Sequence, residues 1–288
     1  MKIRQNFHIH SHHSCDSACS TLKDIQNEQD ALGVEEFGLT DHLHTRYNLP
    51  DIVSACRDWL GLRPHKNFHF GVEITCMTQW ECEKIASGDF TPDGDEPIYG
   101  FRWDVPREGR YCLDITKEEI RNNGIEFVVA GVHWPDGFPK TLADSIDNLF
   151  VQEMFLASHP LVDVVAHPWY PLEMTAGDWF RHRDQAHIDW SAHKAIPQEL
   201  NDRLGAEMLK HGKLAEINLA EILNPPEFVG KLRMECYARW REAGLKFTIG
   251  SDQHSAHADP KMFAAAEKLL DRYGFRESDF ALPIRTLK

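Results

Sequence analysis

The stretch Asn6 to Ser17, "NFHIHSHHSCDS", places His8, His10, His12 and His13 within six residues near the start of the chain. The residues leading into it, from Lys2, have strand character. On a strand alternate side chains share a face, so His8 and His10 point the same way. Two imidazoles leaving one strand end together are the beginning of a metal site. What the other strand ends carry therefore decides both fold and chemistry.

Working outward, short β-rich runs alternate with helical patterns, the signature of βα units around a parallel sheet. Seven strands are expected, near 2–8, 36–40, 68–75, 126–132, 162–166, 213–218 and 246–250. Ser20 is placed to cap a helix bearing Leu22, Ile25 and Leu32 that Gly33 closes. Pro197 and Gly212 bracket a second helix. Pro225 and Pro226 lead into a third, and Asp259 with Pro260 opens a fourth. Strand two runs into "GLTDHLH" with Asp41 and His42, and strand three contains "GVEIT" with Glu73. Strand four gives "AGVHWP" with His133, strand five "VAHPW" with His167, and strand seven "GSDQHS" with Asp252 and His254. Only the sixth strand end lacks a ligand-type residue in this reading. In a parallel barrel the C-terminal strand ends meet on one face, where such enzymes hold their chemistry. Neutral imidazoles and carboxylates gathered there suit Zn, Mn or Fe. His12, His13, His44 and His257 flank these motifs as loop histidines or as support for the ligands.

Composition sets bounds on this reading. A chain of 288 residues suffices for one large α/β barrel, and no linker, repeat or low-complexity segment divides it. It is expected to be a single domain over 1–288, with insertions at about 77–123 and 170–196. No apolar run reaches membrane-spanning length and "MKIRQNFHIH" lacks the core of a signal peptide, so a cytoplasmic protein without a membrane partner is expected. The seven scattered cysteines read as reduced thiols. A net charge of -14 argues against nucleic acid as a partner.

Taken as a set, the motifs from Phe7 to Ser255 resemble the PHP family, named for its polymerase-associated and histidinol phosphatase members. "HIHSHHSCDSACSTL", "LTDH", "GVEI", "GVHWP", "VAHPW" and "GSDQHS" occur in family order. The resemblance implies a distorted (βα)7 TIM-like barrel holding three divalent metal ions. It assigns His8, His10, Glu73 and Asp252 to one ion, with Glu73 bridging to a second held by His133 and His167. A third takes Asp16, His42 and His254. Two positions depart from the common form: Asn6 stands where an aspartate is frequent, and Cys15 where many members have aspartate. Cys15 is therefore a rival to Asp16, a thiolate being an excellent Zn ligand.

Such a cluster implies phosphate ester hydrolysis, because bound ions activate water for in-line attack and neutralise phosphoryl charge. The catalytic candidates are Asp41, Glu73 and Asp252, with Asp41 also placed to support His42. Arg46, Arg181 and Arg183 are the candidates for binding the substrate phosphate. A small phosphorylated metabolite or mononucleotide is the expected substrate, because the two insertions narrow the barrel mouth and no basic stripe tracks a polymer. Insertion aromatics serve either as substrate stackers or as small local cores. The alternatives are a nuclease or 3'-end processing enzyme, which the acidic composition disfavours, and a non-enzymatic metal-binding module, which nine competent ligand positions disfavour.

Overall fold

The computed structural model describes residues 1–16, 18–91, 94–102, 104–107, 109–176, 188–255 and 259–284. Its strands, in chain order, are β1 (Gln5–Asn6), β2 (Glu36–Leu39), β3 (His42–Leu43), β4 (Phe68–Thr75), β5 (Met77–Thr78), β6 (Tyr111–Cys112), β7 (Phe127–Gly131), β8 (Val164–Val165), β9 (Leu214–Asn218) and β10 (Phe247–Gly250). Seven of them pair in parallel in the order β1-β2-β4-β7-β8-β9-β10. All seven expected strands are there. The sheet then closes on itself, since the Phe7 N–H donates to the Ile249 carbonyl (2.7 Å) and the Asp252 N–H to the His8 carbonyl (2.8 Å). This is the distorted seven-stranded α/β barrel expected. The short β3, which pairs with β4, and the antiparallel β5–β6 pair were not foreseen.

Alternation along the strands separates two apolar layers. Phe7, Phe127, Val129, Val164 and Ala166 pack inside the barrel. Val128, Ala130, Val165, Ala215, Ile217, Phe247 and Ile249 face the surrounding helices. The interior is tight around Phe127, whose fully buried ring contributes about 1.5–3 kcal/mol. A Cβ on Gly38 or Gly71 would fall 2.4 Å from that ring, so these strand glycines are what make room for it. The inner layer fills the barrel below the C-terminal strand ends.

The helices start and stop largely as their caps dictate. The first spans Leu22–Leu32 and is capped by a reciprocal Thr21–Asp24 box rather than by Ser20; Gly33 closes it at φ 69°. Ser20 instead donates its hydroxyl to the Ser255 carbonyl at 2.8 Å, tying the first motif to the last. Helices at Gln198–Lys210, Glu227–Glu242 and Pro260–Arg272 match the expected brackets.

The first insertion is an arm. The helix Gln79–Ser87, the short helix Glu96–Tyr99 and the β5–β6 pair precede Lys117–Asn122. The reading of all cysteines as reduced fails at one pair: Cys82 and Cys112 are joined as a disulfide across the arm. Sequence spacing did not expose it, because the pairing depends on how the arm folds back. Among the described residues no helix is long and apolar enough to cross a membrane.

Candidate metal centre

Glu73 occupies the middle of the open barrel face, on the inward-facing row Gly71, Glu73, Thr75 of β4, and is only 1% exposed. Its Oε2 lies 2.9 Å from His42 Nδ1, 3.1 Å from His8 Nε2 and 3.4 Å from His10 Nε2. Its Oε1 lies 3.1 Å from His167 Nε2 and 3.2 Å from His133 Nε2. Asp252 Oδ1 sits 3.4 Å from His8 Nε2 and 3.3 Å from His10 Nε2. On the outer side, Asp16 Oδ2 is 3.1 Å from His42 Nε2 and 2.5 Å from His254 Nε2. All nine residues singled out as ligands thus converge. The grouping is more interlaced than the sequence assignment: His10 also stands with Asp16, His42 and His254, and His42 with Glu73 and His133.

Hydrogen bonds behind the rings decide which nitrogen faces inward. His8 Nδ1 meets Glu216 Oε1 at 2.6 Å, and a second Glu216 oxygen accepts the His167 backbone N–H at 2.8 Å. His254 Nδ1 donates to the Asp252 carbonyl at 2.9 Å. The Thr75 hydroxyl links His133 Nδ1 (2.9 Å) to His44 Nδ1 (2.6 Å). In His8, His133 and His254 the other nitrogen, Nε2, is left for the centre, the arrangement by which proteins fix metal-binding imidazoles. The close approach needs small residues: a Cβ on Gly250 would lie 2.0 Å from Glu216 Oε1 and 2.5 Å from His8 Cβ. It also needs unusual backbone, since His167, Trp169 and Asp252 adopt φ of 28°, 70° and 53°. Non-glycine residues held there cost on the order of 1–3 kcal/mol each, and such costs gather at functional sites.

The carboxylates and imidazoles of the cluster perturb one another strongly. Burial pushes the Glu73 carboxyl up, but His8, His42 and His133 outweigh it and hold the group well below the usual carboxylate range. Asp252 is likewise held down against burial by His8 and His10. Burial, reinforced by His42 and His254, lowers His10 to about 3, so its ring is neutral. Burial also lowers His42, yet Glu73 and Asp16 overcome this and raise it to about 10. His8 Nε2, His10 Nε2, His42 Nδ1, Glu73 Oε2 and Asp16 Oδ1 are buried without a hydrogen-bond partner. One such orphan costs about 1–3 kcal/mol, so five within one cluster mark a place where cations belong. The nitrogen and oxygen donors fit Zn, Mn or Fe.

The other sequence candidates are placed as follows. Asp41 stands behind the cluster, accepting from the Ser11 backbone N–H (2.6 Å) and hydroxyl (2.7 Å), and so shapes the loop between His10 and Asp16. Arg46 is held by Asp114 of the arm, at 3.0 Å through Nε and 2.9 Å through Nη2. Arg181 and Arg183, like Trp179 and His257, lie outside the described residues. Cys15 does not join the ligand groups of the described residues; burial and Asp16 push its thiol up to about 12. Its carbonyl accepts the Tyr99 hydroxyl at 2.7 Å.

Above the cluster lies a cavity of about 330 Å³ whose wall includes Tyr99, Trp134, Tyr170 and Glu221. Arg102 packs its guanidinium 5.2 Å from the Tyr99 ring and 5.8 Å from that of Trp134. Glu216 and Glu221 were missed in the sequence. Glu216 was legible, for in "LAEIN" it alternates with Asn218 on the inward face of the sixth strand, the one strand end left empty. Glu221 follows in the short helix Leu219–Leu223, where spacing gives no cue.

No family model and no curated protein matches the sequence. Among solved structures, the fold is similar to histidinol phosphate phosphatase from Lactococcus lactis subsp. lactis, in complex with zinc, L-histidinol and phosphate. The TM-score is 0.60 at 18% identity, covering 96% of this chain and 95% of that one. It is also similar to a candidate histidinol phosphatase from Listeria monocytogenes, with a TM-score of 0.58 at 11% identity, covering 88% of this chain and 96% of that one. The barrel therefore has the fold of these proteins.

Proposed function

We propose that the chain, acting as one catalytic domain over 1–288, is a PHP-type metal-dependent phosphatase that hydrolyses a small phosphate monoester of histidinol-phosphate or nucleotide type. The observation that carries this reading is the set of buried, partnerless donor atoms converging on Glu73 at the floor of a cavity of about 330 Å³. The fold shared with histidinol phosphate phosphatase supports it. In this reading His8, His10, Glu73 and Asp252 hold one divalent ion, Glu73, His133 and His167 a second, and Asp16, His42 and His254 a third. Ions so placed would lower the pKa of water and offset charge on the phosphoryl group as it is attacked.

The chain's own residues supply the rest. Glu73 and Asp252, both held ionised, stand among the imidazoles that would share the ions with them. Glu216, Thr75 and the Asp252 carbonyl keep those rings in the tautomer that binds cations. Asp252, whose Oδ2 accepts from Asn218 Nδ2 at 3.1 Å, is a carboxylate at the cavity wall and, being ionised, the candidate to accept a proton from the attacking water. Asp41 acts through the loop it holds. Arg46, Arg181 and Arg183 remain the proposed phosphate-binding cations, and Arg46 would reach a phosphate only by giving up Asp114. A cavity of this size favours a metabolite over a strand of nucleic acid. Action in the cytoplasm belongs to the same proposal, and the Cys82–Cys112 disulfide counts against it.

A screen of phosphorylated metabolites beside single-stranded oligonucleotides, on metal-loaded protein, tests the reading. Phosphate release from one or more monoesters, weakly dependent on salt, is the expected result. Faster cleavage of oligonucleotides with a steep loss on adding salt would establish the nuclease alternative.

A further inference from the structure

We infer that His12, His13 and Asp58 form a separate, exchangeable transition-metal site on the outside of the loop that carries His10 and Asp16. One potential ligand atom from each of the three lies within 4.8 Å of the other two. His12 Nδ1 faces the Ser20 carbonyl at 3.3 Å, and the His12 backbone N–H donates to the same oxygen at 2.9 Å. That contact protonates Nδ1 and leaves Nε2 as a lone pair, the same device that orients the ligands of the main centre. The His13 ring packs against that of His12 with centroids 4.2 Å apart, and its Nε2 is 2.9 Å from Asp58 Oδ2. Asp58 belongs to the helix Leu49–Leu62, so the three groups come from two elements that the fold brings together.

The chemistry selects the ion. Two imidazoles and one carboxylate are the donor set of zinc sites that keep an open position for water. Bonds of about 2.0–2.1 Å would require small shifts of the ligand atoms. The Asp58 side chain is 55% exposed and free to make that adjustment. Asp51, on the same helix, faces His13 and adds negative charge. The water-accessible position makes this a weaker, faster-exchanging site than the buried centre. An ion there would cross-link the loop to the helix Leu49–Leu62, and thereby steady a loop that carries one ligand on each side of it.

The test uses the full chain, isolated with its main centre loaded and dialysed against buffered zinc over a wide range of free concentration. Wild-type protein is expected to take up one zinc more than either His12→Ala or Asp58→Asn, or to take it up at least tenfold more tightly. Both substitutions are on the surface, and unchanged circular dichroism and unfolding temperature show that they leave the fold intact. A second reading is hydrogen exchange of residues 11–20, expected to slow on adding zinc to the wild type and not to His12→Ala. Coincident zinc isotherms for wild type and both variants would overturn the inference, as would zinc-induced protection that survives in His12→Ala.

Discussion

At the scale of single residues, the choice between Asp16 and Cys15 is the most exposed part of the metal assignment. Asp16 meets two imidazole partners, His42 and His254, whereas burial keeps the Cys15 thiol protonated. Asp16→Asn is expected to lose about one metal equivalent, and Cys15→Ser to keep all, because a neutral amide is a poor substitute for a carboxylate ligand. Elemental analysis of the two variants decides it, and the opposite pattern would transfer the role to the thiol. Glu216 makes a second prediction. It touches two ligands without facing the cavity, so Glu216→Gln should weaken metal binding by about 10–100-fold while the fold persists. Metal titration against a chelator reads that change; an unchanged affinity would reduce Glu216 to a packing residue.

At the scale of elements, the arm between β4 and β7 brings Tyr99 to the wall of the cavity. Glu81 is buried at its root, where it accepts from Phe101 N–H and Arg102 N–H, each at 3.1 Å. Those amides sit just beyond Tyr99, whose hydroxyl ties the arm to the metal loop through the Cys15 carbonyl. Glu81→Ala leaves the amides without their acceptor, at about 1–3 kcal/mol each, and should loosen the wall. The expected outcome is a KM raised by about tenfold with a smaller change in kcat. Equal losses in kcat and kcat/KM would mean that the arm acts in the transition state instead. Here the sequence was only partly legible. The arm's length and aromatic content marked it as a wall, but not which ring reaches the cavity, because Tyr99 and Trp80 differ only in how the arm folds. Trp80 packs on Phe101, away from the metal residues.

At the scale of the whole molecule, the seven strands and the convergence of nine candidate ligands were legible because strand alternation and the fixed polarity of a parallel barrel determine where each strand end points. What escaped was whatever depends on packing between distant segments: the Cys82–Cys112 link, the pairing of Arg46 with Asp114, and buried carboxylates away from the strand ends. Glu153 is one such carboxylate, on the helix Leu142–Ser158, accepting the Trp169 N–H behind the His167 turn. Burial pushes it up to about 8. Between the unfolded value near 4.3 and this one the native state holds a proton that the unfolded chain has lost, so stability falls as pH rises through that window. Glu153→Gln, which keeps an acceptor for Trp169, should therefore gain stability relative to wild type from pH 5 to pH 8, by on the order of 1–3 kcal/mol. Denaturant unfolding at the two pH values checks the sign.

The proposed metal-dependent hydrolysis of a phosphate monoester is centred on Glu73. Its most direct test is phosphate release from a monoester substrate by wild type, by the same protein after chelation and metal restoration, and by Glu73→Gln. The expected result is activity that chelation abolishes and divalent metal restores, and a loss of at least about a thousandfold in Glu73→Gln, as for removal of one major source of transition-state charge stabilisation. Full hydrolysis by the chelated protein, or by Glu73→Gln, would contradict it.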